Sequence, residues 1–148
     1  MPCDEALMSK SQIRTNLPPP YPLAMVLCDA IWCDPATGKR FLLGCFSVLH
    51  ATEFPILHRS MAIHVALTNG HGRMAIRIRL IDDEEAREPL WFAEGEVDFP
   101  DPRGTVEIDF MLPPVEFPAA GVYRFQFFTA GQFLMERRIF VEGVAAGR

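Results

Sequence analysis

The sequence predicts an all-β fold, an antiparallel β-sandwich of about eight strands. Three observations carry that expectation. Several segments alternate apolar and polar residues with a period of two, as strands with one wet face do. Turn-forming clusters recur roughly every ten residues, the spacing of a sandwich or barrel. Thirteen prolines and ten glycines leave little room for long helices and suit short strands joined by turns.

The first strand is expected over about Leu23–Cys33, where Asp29 is the only charge up to Trp32. Asp34-Pro35-Ala36-Thr37-Gly38-Lys39 makes a turn, with proline presetting one backbone angle and glycine supplying a positive one. The second strand covers about Arg40–Leu49, uncharged from Phe41 onward. Both segments are apolar on both faces, unlike the later ones. A hairpin of this kind must be covered twice, once by its own core and once by the rest of the chain, a second copy or a partner. If the turn pairs Cys33 with Arg40, Cys28 falls opposite Cys45.

Residues His50–Ser60 read as irregular, with Pro55 as a breaker. The third strand, about Met61–Thr68, ends at Asn69-Gly70-His71-Gly72, a hairpin turn signal. The fourth, Arg73–Ile81, sends Met74, Ile76, Ile78 and Leu80 one way and Arg73, Arg77 and Arg79 the other. The fifth, about Leu90–Phe99, puts Glu94, Glu96 and Asp98 on one face, where they can pair with those arginines and fix register. Each such exposed pair contributes only a few tenths of a kcal/mol. Pro100–Gly104 turns the chain into the sixth strand, Thr105–Leu112. Pro113–Gly121 is a connector. The seventh strand is Val122–Thr129, and Ala130-Gly131 leads to the eighth, about Gln132–Val141. There Arg137 interrupts the apolar parity of Phe133, Met135, Ile139 and Val141, which a bulge or an edge position explains. The domain thus spans 23–142, between a polar, proline-rich tail over 1–22 and a short tail over 143–148.

Charge excludes some partners. The net charge of −5 sits wholly in residues 61–148, which carry nine basic and fourteen acidic groups. No basic run or stripe exists, so neither nucleic acid nor an anionic membrane surface is an expected partner. No segment reaches the ~20 apolar residues of a spanning helix, and no secretory signal is visible at the start. The expected location is cytoplasmic, with reduced cysteines.

Phe117-Pro118-Ala119-Ala120-Gly121-Val122-Tyr123-Arg124-Phe125 places a tyrosine at the start of the penultimate strand, after a proline–glycine connector. Immunoglobulin-like sandwiches put a tyrosine there whose hydroxyl bonds back to the preceding loop. The expected architecture is therefore immunoglobulin-like in general terms. At that segment, and at Leu27-Cys28-Asp29, Gly38-Lys39 and Leu43-Gly44-Cys45-Phe46, the chain resembles a family of small bacterial proteins catalogued only as a domain of unknown function. The resemblance covers about residues 22–142. It implies a compact β-sandwich and supplies no activity, ligand or site.

No catalytic constellation is legible. The cysteines lack CxxC spacing and read as buried structural thiols, with Cys28 and Cys45 the one pair placed for a disulfide or a shared metal. His50, His58, His64 and His71 show no ligand spacing and read as scattered surface residues. A catalytic thiol needs a polar, partly open setting, and Cys28 and Cys45 sit in the most apolar stretches of the chain. The expectation is a non-catalytic interaction or structural module needing no cofactor. It would form a homo-oligomer or bind a protein partner through Leu27, Ile31, Trp32, Leu42 and Phe46 of the apolar hairpin. The alternative is a small-ligand or calcium-binding sandwich using the acidic loops 82–85 and 98–101.

Overall fold

In the computed structural model, which describes residues 18–84 and 87–145, alternating segments become strands. Twelve occur among the described residues: β1 (Tyr21–Cys28), β2 (Ala30–Cys33), β3 (Arg40–Leu43), β4 (Val48–Ala51), β5 (Ile56–His58), β6 (Met61–Thr68), β7 (Gly72–Asp82), β8 (Trp91–Phe99), β9 (Thr105–Leu112), β10 (Val115–Phe117), β11 (Gly121–Thr129) and β12 (Gln132–Gly143). None of the described residues is helical. The count exceeds the expected eight because both long opening segments break in two and the connectors hold short strands.

Two sheets face each other. One has three strands in the order β1-β6-β9, the other five in the order β4-β12-β11-β7-β8. Every pairing is antiparallel except β4 with β12. Without β4, this is the immunoglobulin plan, with one sheet of first, second and fifth strands facing a sheet built around the last two. Two small ribbons, β2–β3 and β5–β10, stand outside the sheets.

The core lies between the sheets. Leu27, Ile63, Val65 and Leu67 meet Ile78, Leu80, Phe125, Phe127 and Ile139, all fully buried. A chain of edge-on rings crosses the gap: Phe127 to Phe110 at 6.4 Å, Phe110 to Trp91 at 6.2 Å and Trp91 to Phe125 at 6.5 Å. Such geometry sets the positive ring edge against the negative face.

The Asn69–Gly72 turn corrects one expectation. It does not close a hairpin, because β6 and β7 lie in different sheets. Gly70 sits against the Phe99 ring, where a Cβ would collide with it, and Asn69 N–H donates to Pro102 O at 2.8 Å. That packing carries the chain across the sandwich. The expected pairing of the fourth and fifth strands holds: Arg73 meets Glu96 at 3.4 Å and Arg77 meets Glu94 at 3.7 Å, while Arg79 turns to Gln126.

Neither the bulge nor an edge explains Arg137. The register of β11 with β12 shifts between Phe127 and Phe128, at Leu134, which turns Phe133 outward, and β12 lies inside its sheet. Arg137 stands opposite the buried Phe125 and faces the core side in register with Met135, Ile139 and Val141. Its guanidinium donates to Met25 O at 2.8 Å and Ser47 Oγ at 3.0 Å. Met25 is on β1, an edge strand, so Arg137 ties the open side of the sandwich shut.

The corner tyrosine stands where expected. The Tyr123 hydroxyl donates to Ala119 O at 2.6 Å and accepts from Ala119 N–H at 3.4 Å, and its ring packs edge-on against Phe117 at 5.0 Å. Tyr123→Phe is expected to cost about 1–2 kcal/mol, because the Ala119 carbonyl loses its donor and the loop loses its tether. Urea denaturation measures this, and an unchanged midpoint would show that the tether is idle.

The tail expected over 1–22 falls mainly outside the described residues, and Tyr21 and Pro22 belong to β1. Gly143, assigned to the C-terminal tail, completes β12.

Candidate interaction surface

The chain leaves the three-stranded sheet at Asp29 and returns at Gly44. Asp29 N–H donates to Leu43 O at 2.9 Å and Gly44 O at 3.1 Å, and the Ser60 hydroxyl donates to Asp29 O at 2.8 Å. Gly44 has φ 71°, a left-handed conformation suited to glycine, and a Cβ there would collide with the Asp29 carboxylate. Between these points β2 and β3 form a ribbon with Ala30 opposite Leu43, Ile31 opposite Leu42, Trp32 opposite Phe41 and Cys33 opposite Arg40. The tip is held by Asp34, whose carboxylate accepts from Ala36 N–H at 3.0 Å and Thr37 Oγ1 at 2.9 Å.

Opposed residues share a face. One face, with Ile31, Leu42 and Arg40, lies on the outer side of the three-stranded sheet. Arg40 fixes it there, donating from Nε to Asp109 at 2.6 Å and from Nη1 to Glu107 at 2.7 Å. His64 Nδ1 lies 2.8 Å from the other Asp109 oxygen, and its Nε2 lies 3.6 Å from Glu107. The hydrogen bond to Asp109, against the opposing cost of burial, raises the Arg40 pKa above its ordinary value. Under this cover Ala62, His64 and Ala66 of β6 are buried. The double covering read from the opening segments is thus partly internal: the sandwich core covers one face of β1 and β6, and the ribbon covers the other.

The other ribbon face points outward. Trp32 is 52% exposed, Phe41 46% and Leu43 52%, and the two rings meet at 5.2 Å, tilted by 45°. Of the five residues expected to form the interface, only Trp32 lies on this face. Leu27 is fully buried in the core, because β1 ends before the ribbon begins, and it cannot touch a partner. Ile31 and Leu42 are half-buried on the inward face. Phe46 packs against the core, its ring 5.7 Å from His58. Phe41 and Leu43 were missed. The pairing of Cys33 with Arg40 already held the signal, since it sets Phe41 beside Trp32.

The thiols and histidines also depart from expectation. Cys28, Cys33 and Cys45 are free, but only Cys28 is buried, and Cys3 lies outside the described residues. Burial first, then the nearby Cys45, Asp109 and Asp29, push the Cys28 thiol pKa up. His64 is buried under the ribbon and not on the surface. Among the described residues no three His, Cys, Asp or Glu side chains are grouped to hold a metal ion.

The acidic loops cannot share an ion. Gly72 opposes Phe99 while Leu80 opposes Trp91, so Asp82–Glu84 and Asp98–Asp101 sit at opposite ends of the β7–β8 hairpin. At ~3.4 Å per residue they stand about 30 Å apart. Asp82 and Asp83 border a cavity of about 300 Å³ beside Ala119–Tyr123, and arginines answer both, Arg87 at 3.4 Å and Arg124 at 3.1 Å.

The fold and the tyrosine corner define an immunoglobulin-like sandwich with an inserted apolar arm. Residues 23–142 match the family of unknown function DUF6941, and the chain belongs to that family. No curated protein matches the sequence. Among solved structures, a β-glucosidase from Listeria innocua in complex with isofagomine aligns over 84% of this chain, with 12% identity and a TM-score of 0.43. The match spans only 17% of that enzyme. A putative lipoprotein from Bacillus anthracis aligns over 78% of this chain and 85% of its own, with 13% identity and a TM-score of 0.33. Neither likeness is strong enough to bear on function. Among the described residues no helix is long and apolar enough to cross a membrane.

Proposed function

We propose that this protein is a non-catalytic interaction module that binds a protein partner, a second copy included, through the outward face of the β2–β3 ribbon. One observation carries the reading: Trp32, Phe41 and Leu43 stand exposed together on an arm whose other face is clamped to the sandwich. An exposed apolar cluster on a rigid support costs water contact in the free protein and little entropy on binding. Tryptophan and phenylalanine are frequent anchors of such surfaces. A cytoplasmic setting accords with the free thiols. Net charge and the lack of a basic stripe speak against nucleic acid and anionic membranes as partners.

The test is the double variant Trp32→Ser, Phe41→Ser. Wild-type protein should bind an apolar dye and self-associate as its concentration rises in sedimentation experiments. The variant should lose both while its unfolding free energy, measured in urea, stays within about 1 kcal/mol of wild type, since exposed side chains contribute little to folding. A wild-type chain that stays monomeric and binds no dye would defeat the proposal.

A further inference from the structure

Cys28 and Cys45 form a built pair. Phe46 N–H donates to Leu27 O at 3.1 Å and Asp29 N–H to Gly44 O at 3.1 Å. These two bonds bracket Cys28 and Cys45 as directly opposed residues at a non-hydrogen-bonded site of an antiparallel pair. Such residues have Cα atoms about 4.5 Å apart, within the window a disulfide spans without backbone movement. Their neighbours confirm the facing. Leu27 and Phe46 both pack into the core, so Cys28 and Cys45 project together from the other side. Cys45 is exposed and Cys28 buried, which gives the two thiols different access.

We propose that Cys28 and Cys45 are a reversible thiol–disulfide site that takes low-molecular-weight disulfides as oxidant. The Cys45 thiolate attacks one sulfur of a disulfide such as oxidised glutathione, forms a mixed disulfide and expels one glutathione thiolate. Cys28 gives up its proton to water and attacks the Cys45 sulfur, expelling the second. In sum, two protein thiols and one small disulfide become one protein disulfide and two small thiols. The buried Cys28 thiol resists deprotonation, so the second step quickens as pH rises. The new bond would lock the root of the ribbon to the end of β1. Cys33 is an internal control: it is exposed, but the residue opposite it is Arg40.

The experiment treats the native protein with oxidised glutathione, quenches with acid, alkylates under denaturing conditions and maps unreduced peptides by mass spectrometry. The expected result is a peptide linking Cys28 to Cys45, with glutathione retained on Cys33. In Cys28→Ser, glutathione should remain on Cys45. Three results in the wild-type protein would each overturn the proposal: glutathione retained on Cys45 beside an alkylated Cys28, both thiols alkylated after treatment, or Cys45 linked to any other cysteine.

Discussion

Phe127→Ala should destabilise the fold by about 3–5 kcal/mol, the range for emptying the space of a buried aromatic ring. Phe127 is fully buried on β11, and its ring meets Phe110 of the facing sheet at 6.4 Å. The loss has two parts. Apolar surface is no longer withdrawn from water, and the ring chain Phe127–Phe110–Trp91–Phe125 loses an end. Interior packing is dense and rigid, so the neighbours close the gap only in part. Against a total stability of about 5–15 kcal/mol, this one change removes a large share. Chemical denaturation reads it directly. A loss below about 1 kcal/mol would mean that the sheets do not meet at Phe127.

Asp109→Ala should cost about 2–3 kcal/mol and loosen the ribbon. The Asp109 carboxylate holds Arg40 at 2.6 Å and His64 at 2.8 Å on separate oxygens. Removing it takes the partner from Nδ1 of the buried His64 and leaves Arg40 with Glu107 alone. Breaking a fully buried pair costs more, about 3–5 kcal/mol. Here the carboxylate keeps 18% of its exposure, so water offsets part of the loss. The distinguishing readout is amide exchange, which should quicken across residues 30–43 and change little in β7 and β11. Uniform quickening everywhere would show that Asp109 supports the whole sandwich and does not hold the arm specifically.

Much of this was legible in the chain. Alternation located β7, β8 and β9 because each has one face toward the core and one toward water. The Tyr123 corner was legible because its geometry depends on local spacing alone. The ribbon register followed from one turn, since an antiparallel ladder fixes every later pair. What failed to show depends on contacts distant in sequence. Nothing local marks the end of β1 at Asp29, because the break is made by Ser60 and by the left-handed Gly44. The Asn69–Gly72 turn has hairpin composition, yet Phe99 and Pro102 decide where it leads. Arg137 reads as an error in a strand until Met25, 112 residues away, supplies its acceptor. At the candidate surface, apolar character was visible but not direction. Alternation puts Leu27 and Trp32, five residues apart, on opposite faces, but the bend at Asp29 is what carries Trp32 off the sandwich onto the arm.

That bend has an evolutionary consequence. The outgoing and incoming backbones touch at Asp29 and Gly44, so the sandwich is spliced at a single point and spans no gap there. A hairpin rooted in this way can be lengthened, shortened or exchanged by selection without shifting the register of the strands beneath it.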